Sequence, residues 1–167
     1  MRREETVDHN IKAAWHAISR MYNQQAGKHD ITTSIGFVLL NIHSEEGTPA
    51  TKIAPLMGLE ARSLTRMLKT MEEKKLIYRE PDLVDKRSVR IVLTTLGKQK
   101  KEISRETVLR FNNRVRSQIP ENKLKIFFEV MNEINKLAGQ GISETSTESV
   151  SKKGVLIRKT ETRHVKR

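Results

Sequence analysis

The sequence predicts a mainly α-helical fold carrying one small β-hairpin. Three observations support this. Apolar residues recur at steps of three and four over most of the first 139 positions, and two short β-branched runs flank a charged turn near the middle. The residues are 36% apolar but only 4% aromatic, as expected of an aliphatic helical core. A chain of 167 residues fits one compact domain of about 100 to 200 residues, not a fusion or a long repeat array.

The elements follow in order. Val7, Ile11, Ala14, Trp15, Ile18 and Tyr22 put one stripe on an amphipathic helix that ends near Gly27. Thr32 or Thr33 offers the cap oxygen of a second helix, with Ile35, Val38, Leu39 and Ile42 inward and Glu45-Glu46-Gly47 as its break. Thr48-Pro49 predicts a cap followed by a first-turn proline, then a helix of about three turns with Ile53, Ala54 and Met57 inward, stopped by Gly58. From Glu60 to Lys74 the buried stripe is Leu64, Met67, Leu68 and Met71, and the opposite face carries Arg62, Ser63, Thr65, Arg66 and Lys69. Two helices joined by a tight glycine turn form a helix-turn-helix pattern, whose second helix enters the major groove of duplex DNA. Leu76 to Arg79 and Val89 to Leu93 predict an antiparallel hairpin with Lys86 and Arg87 near its tip, a wing beside the helix pair. Thr94 caps a long helix reaching about Ser117, and Pro120 starts a last helix striped by Leu124, Phe127, Phe128, Met131, Ile134 and Ala138.

Residues 1–139 are therefore read as the folded domain, with a DNA-binding lobe at about 33–95. Residues 140–167 are read as a flexible basic tail, because Ser143 to Ser149 cannot bury enough surface to offset ordering entropy. Lys and Arg number 32 against 20 Asp and Glu, a net +12 that favours a polyanionic partner. The tail supplies seven basic residues and three Glu, and positions 94–117 supply seven basic residues against Glu102 and Glu106. Scarce aromatics argue against a stacking platform for single strands. No Cys is present, which excludes disulfides, Cys-based zinc sites and thiol chemistry. His9, His16, His29, His43 and His164 show no metalloprotease spacing, and no glycine-rich loop cradles phosphate. No enzymatic activity, cofactor or metal is expected. The N-terminus lacks an apolar run after Met1-Arg2-Arg3-Glu4-Glu5, and no segment is long enough to span a bilayer, so no membrane partner and a cytoplasmic location are expected.

The stretch Ser63 to Arg79, followed by Asp85-Lys86-Arg87-Ser88 and Val92-Leu93-Thr94-Thr95-Leu96-Gly97, closely resembles the MarR family of bacterial transcriptional regulators over roughly residues 5–139. That resemblance implies a winged helix-turn-helix flanked by N- and C-terminal dimerisation helices. It also implies a homodimeric, ligand-responsive regulator, read as a repressor, on a palindromic double-stranded DNA operator. The alternative is an architectural, sequence-tolerant DNA-binding protein, suggested by the basic tail.

Arg62, Arg66 and Lys69 offer charge-assisted contacts to phosphate or guanine, while Ser63 and Thr65 reach base edges or bond their own helix. Arg87 resembles the family arginine that enters the minor groove, with Asp85 orienting it and Lys86 beside it; Arg90 has a phosphate or a structural role open to it. Two positions depart from expectation. Lys75 stands where the family pattern has a helix-ending glycine, implying a strained left-handed residue or a different helix end, and Glu60 is a poor N-cap. Val7, Ile11, Trp15, Phe127, Phe128, Met131 and Ile134 are assigned to the dimer interface or the adjoining core. The resemblance also implies a small-molecule effector cleft, for which Trp15, His16, Phe37 and His43 are the candidates.

Overall fold

A computed structural model describes residues 2–82, 85 and 88–141. The chain divides into two compact units, Met1–Arg114 and Val115–Arg167. After a 3-10 turn at Arg3–Glu5 the first unit holds α1 (Val7–Gly27), α2 (Thr33–Leu40), β1 (Thr48–Pro49), α3 (Ala50–Leu56), α4 (Ala61–Glu73), β2 (Ile77–Pro81) and β3 (Val89–Leu93). The boundary falls within α5 (Thr95–Gln118), and the second unit contains α6 (Glu121–Gln140). No helix among the described residues is long and apolar enough to cross a membrane.

The core of the first unit gathers the inward stripes of three helices and the sheet. Val38 and Leu39 of α2, Ile53 of α3, and Leu64, Leu68 and Met71 of α4 are buried with Ile42, Leu76, Ile77, Ile91 and Leu93. Each such side chain contributes about 1.5–3 kcal/mol on burial, so this cluster orients α4. Helix ends are equally specific. Thr32 caps α2 by accepting from the Ile35 N–H at 3.2 Å. Thr94 opens α5 by accepting from the Gly97 N–H at 3.0 Å, while its hydroxyl donates to the Lys75 carbonyl at 2.7 Å. Gly97 itself lies against the Leu76 carbonyl, where a Cβ would overlap the oxygen.

At the end of α4 the chain turns through a left-handed residue, and that residue is Lys75, with φ 56°. Leu76 N–H reaches back to the Met71 carbonyl and Lys75 N–H to the Glu72 carbonyl, both at 2.9 Å, a Schellman closure with Leu76 and Met71 buried together. Of the two helix ends that the missing glycine left open, the left-handed lysine is therefore the one adopted. Helix α1 ends at Gly27, as expected, and the left-handed residue beyond it is Asp30, φ 58°.

Four boundaries differ from expectation. Thr48-Pro49 does not start a helix. It forms β1, paired antiparallel with β3 as Thr48 to Ile91 and Pro49 to Arg90, which makes a three-stranded sheet of order β1-β3-β2. The Thr48 hydroxyl accepts instead from the His43 N–H at 2.8 Å, and proline is tolerated because β1 is an edge strand. In consequence α3 has seven residues, about two turns at 3.6 residues each. Similarly α2 stops at Leu40, before the glutamates. Finally, α6 runs through Gly139 to Gln140 and ends at Gly141, φ 73°. The hairpin is as expected, with β2 and β3 in register from Ile77 opposite Leu93 to Pro81 opposite Val89.

Candidate nucleic-acid interface

The apolar side of α4 is anchored by Leu64, Leu68 and Met71, which turns the other side outward. Arg62, Ser63, Thr65, Arg66 and Lys69 are all exposed on it. Among the described residues none of these three cations makes an ion pair. Thr65 donates its hydroxyl to the Ala61 carbonyl at 2.9 Å, the local use open to it from sequence. Glu60 sits at the N-cap without a side-chain hydrogen bond, so the first N–H groups of α4 have no side-chain cap.

On the wing, Lys86 and Arg87 lie outside the described residues, as does the tail from 142 onward. Asp85 donates its backbone N–H to the Asp82 Oδ1 at 3.0 Å. Arg90 has the structural partners that its sequence position left open. Its guanidinium is paired with Asp82 at 2.8 Å and donates to the Glu46 and Gly47 carbonyls. Asp82 was not singled out in the sequence. Its signal was an aspartate three residues before the Asp85 N–H it accepts from, a local turn pattern.

The basic residues of α5 are used differently. Lys98 pairs with Glu45 at 3.0 Å, Lys100 donates to the His29 carbonyl at 2.8 Å, and Lys101 donates to the Ile42 carbonyl and to Ser44 Oγ. Burial pulls the Lys101 ammonium below its ordinary range, an effect opposed by Glu102. Arg105 pairs with Glu102, and in the second unit Arg116 pairs with Glu121.

A cleft of about 30 Å³ lies between α1, α2 and α5, lined by Tyr22, Phe37, Ile103, Ser104, Thr107 and Val108 among others. Of the four effector candidates, Phe37 lines it and Trp15 stacks on Phe37 at 6.3 Å. His16 and His43 do not line it. His43 instead closes the turn before β1, its Nδ1 accepting from the Glu46 N–H at 3.1 Å. Tyr22 and the α5 residues were missed because only packing brings these helices together.

The apolar stripes at the two ends of the chain are incompletely covered. In the first unit Val7, Ile11 and Trp15 stay exposed, Trp15 at 52%. In the second, Phe127 and Phe128 are about half exposed, at 52% and 48%, and Met131 and Ile134 are half-buried.

Two helices set around a glycine turn, a hairpin wing and an outward basic face on the second helix define a winged helix-turn-helix protein. The MarR family model matches residues 31–89, which span this lobe, and the chain belongs to the MarR family. Relatives agree. The HTH-type transcriptional regulator TtmR of Methylorubrum extorquens (strain PA1) is 34% identical over 88 residues, covering 53% of this chain and 45% of that protein. The HTH-type transcriptional regulator SarZ of Staphylococcus aureus (strain USA300) is 30% identical over 99 residues, covering 57% of this chain and 67% of SarZ. The chain spans about half the length of the curated relatives it matches first, 45% and 58%. Among solved structures, S. aureus MepR in a DNA complex superposes with a TM-score of 0.72 at 24% identity, over 79% of this chain and 98% of MepR. MepR in its DNA-binding conformation gives 0.69 at 25%, over 78% and 97%. The family is one of transcriptional regulators, not of enzymes.

Proposed function

We propose that this chain is a sequence-specific, double-stranded DNA-binding transcriptional regulator, a ligand-responsive repressor that acts as a homodimer on a palindromic operator. One observation carries the DNA-binding reading. The three cations of α4 are exposed and make no ion pair among the described residues, on a helix whose opposite face is locked into the core. Arg62, Arg66 and Lys69 meet phosphate or guanine edges, and Ser63 and Thr65 lie on the same exposed face. On the wing, Arg87 enters the minor groove beside Lys86, with Asp85 orienting it.

The dimer reading rests on Val7, Ile11 and Trp15 in one unit and Phe127 and Phe128 in the other, exposed apolar faces that a second copy of the chain would cover. Effector response is assigned to the cleft beside Phe37. Its 30 Å³ is room for about one water, so a larger ligand must displace Phe37 or its neighbours, and that movement is the link to α2.

Selection of bound fragments from random duplex DNA, followed by footprinting, tests the whole reading. The expected result is a protected inverted repeat preferred by roughly 10³-fold or more over random duplex. Equal affinity for every sequence would establish the architectural alternative instead. Sedimentation at twice the 19.2 kDa chain mass is expected, and a monomer that still protects an inverted repeat would overturn the dimer.

A further inference from the structure

The base of the wing loop, where Asp82 and Ser88 face each other, is tied to the body of the lobe through Arg90. Arg90, on β3 and only 20% exposed, directs Nε at 3.1 Å and Nη2 at 2.8 Å to the Asp82 Oδ2. Its Nη1 donates to the Glu46 carbonyl at 2.9 Å and the Gly47 carbonyl at 3.3 Å. Asp82 is 5% exposed, and its other oxygen accepts from the Asp85 N–H while its own N–H donates to the Ser88 carbonyl at 2.9 Å. A carboxylate this buried is costly to leave unpaired, so the guanidinium and the aspartate hold each other in place.

The turn that Arg90 grips is itself rigid. Gly47 N–H donates to the His43 carbonyl at 3.1 Å, and the Lys98–Glu45 pair and the Lys101–Ser44 bond, both 3.0 Å, tie the turn to α5. Gly47 has φ 66°, and a Cβ there would stand 2.6 Å from the Ile91 carbonyl, so the turn must lie flush on β3 for Arg90 to reach it. Only a planar fork can serve a carboxylate and two carbonyls at once; a lysine ammonium on the same stem would reach one or the other.

We infer that Arg90 is a positioning residue for DNA binding. By bracing Asp82 against the Glu46–Gly47 turn it fixes the base of the wing on the scaffold that also carries α4, so that wing and recognition helix engage one duplex together, while Arg90 itself touches no DNA. This rests on the DNA-binding reading above.

The test is a pair of mutant cycles on the full chain, read by fluorescence anisotropy on the duplex most enriched by selection with the wild type. Arg90→Gln and Arg87→Ala are each expected to weaken binding about 10-fold, and Arg87→Ala to cost less than about 2-fold more once Arg90 is changed. Arg66→Ala should cost the same in both backgrounds. Asp82→Asn should reproduce the Arg90→Gln pattern, and Arg90→Lys should fall between Arg90→Gln and the wild type. Urea unfolding identifies any variant that fails to fold, and Asp82→Asn and Arg90→Lys then carry the cycle. A full additional loss from Arg87→Ala in the changed background would mean that Arg90 contacts phosphate directly or acts independently of the wing, and would overturn the inference. If the wild type enriches no duplex at all, the DNA-binding reading fails and this inference falls with it.

Discussion

Helices α4 and α5 both carry clustered lysine and arginine, yet they put them to opposite uses. On α4, Arg62, Arg66 and Lys69 project to solvent with no ion pair among the described residues. On α5, Lys98, Lys100, Lys101 and Arg105 are all occupied, two of them by backbone carbonyls at the ends of α1 and α2. A charge count treats the two helices alike. The structure separates a surface with unspent hydrogen-bonding capacity from one on which Lys98, Lys100 and Lys101 tie α5 to the segments around it.

The strongest way to break this comparison is to reverse the α4 face. Arg62→Glu with Arg66→Glu and Lys69→Glu should abolish binding to the selected duplex, with each lost contact worth about 1–3 kcal/mol, and leave thermal stability within about 1 kcal/mol. Retained binding in an anisotropy titration would show that α4 is not the recognition surface.

A smaller effect is expected at the start of α5. Gly97→Ala forces a methyl onto the Leu76 carbonyl and should destabilise the chain by about 1–3 kcal/mol in urea unfolding. An unchanged midpoint would show that this junction yields freely and that α5 is less rigid a scaffold than its contacts indicate.

Lys101→Met should lower stability by about 1 kcal/mol through loss of its bonds to Ile42 and Ser44, yet leave the dependence of DNA affinity on salt unchanged. A flatter salt slope would move Lys101 into the DNA-facing set and erase the contrast. The smallest effect has the opposite sign. Lys75→Gly should stabilise the end of α4 by up to about 1 kcal/mol, because glycine adopts φ 56° without a Cβ penalty. Destabilisation would mean that the lysine side chain contributes more than its backbone costs.

Much of this was legible from local chemistry. The stripe Leu64, Leu68, Met71 set both the helix and its outward face, Thr94 announced the start of α5, and the missing glycine at Lys75 left two helix ends open, of which the left-handed lysine is the one adopted. Thr48-Pro49 misled because a hydroxyl followed by proline suits a helix start and an edge strand equally. The pairing that decides between them comes from Ile91 and Arg90, some forty residues away.

By itself, then, and Thr48-Pro49 apart, the order of residues determined which segments coil, which extend and which face of each is apolar, since those depend on neighbours one to four positions apart. It could not say which cations stay available. Whether an arginine meets DNA or a carbonyl depends on what distant segments bring within about 3 Å of it, and a hydrogen bond falls away steeply beyond that reach. Arg66 and Arg90 look alike in sequence, and only the pairing of β3 with β2 and its packing against the turn before β1 gave one of them Asp82 and the Glu46 and Gly47 carbonyls as partners.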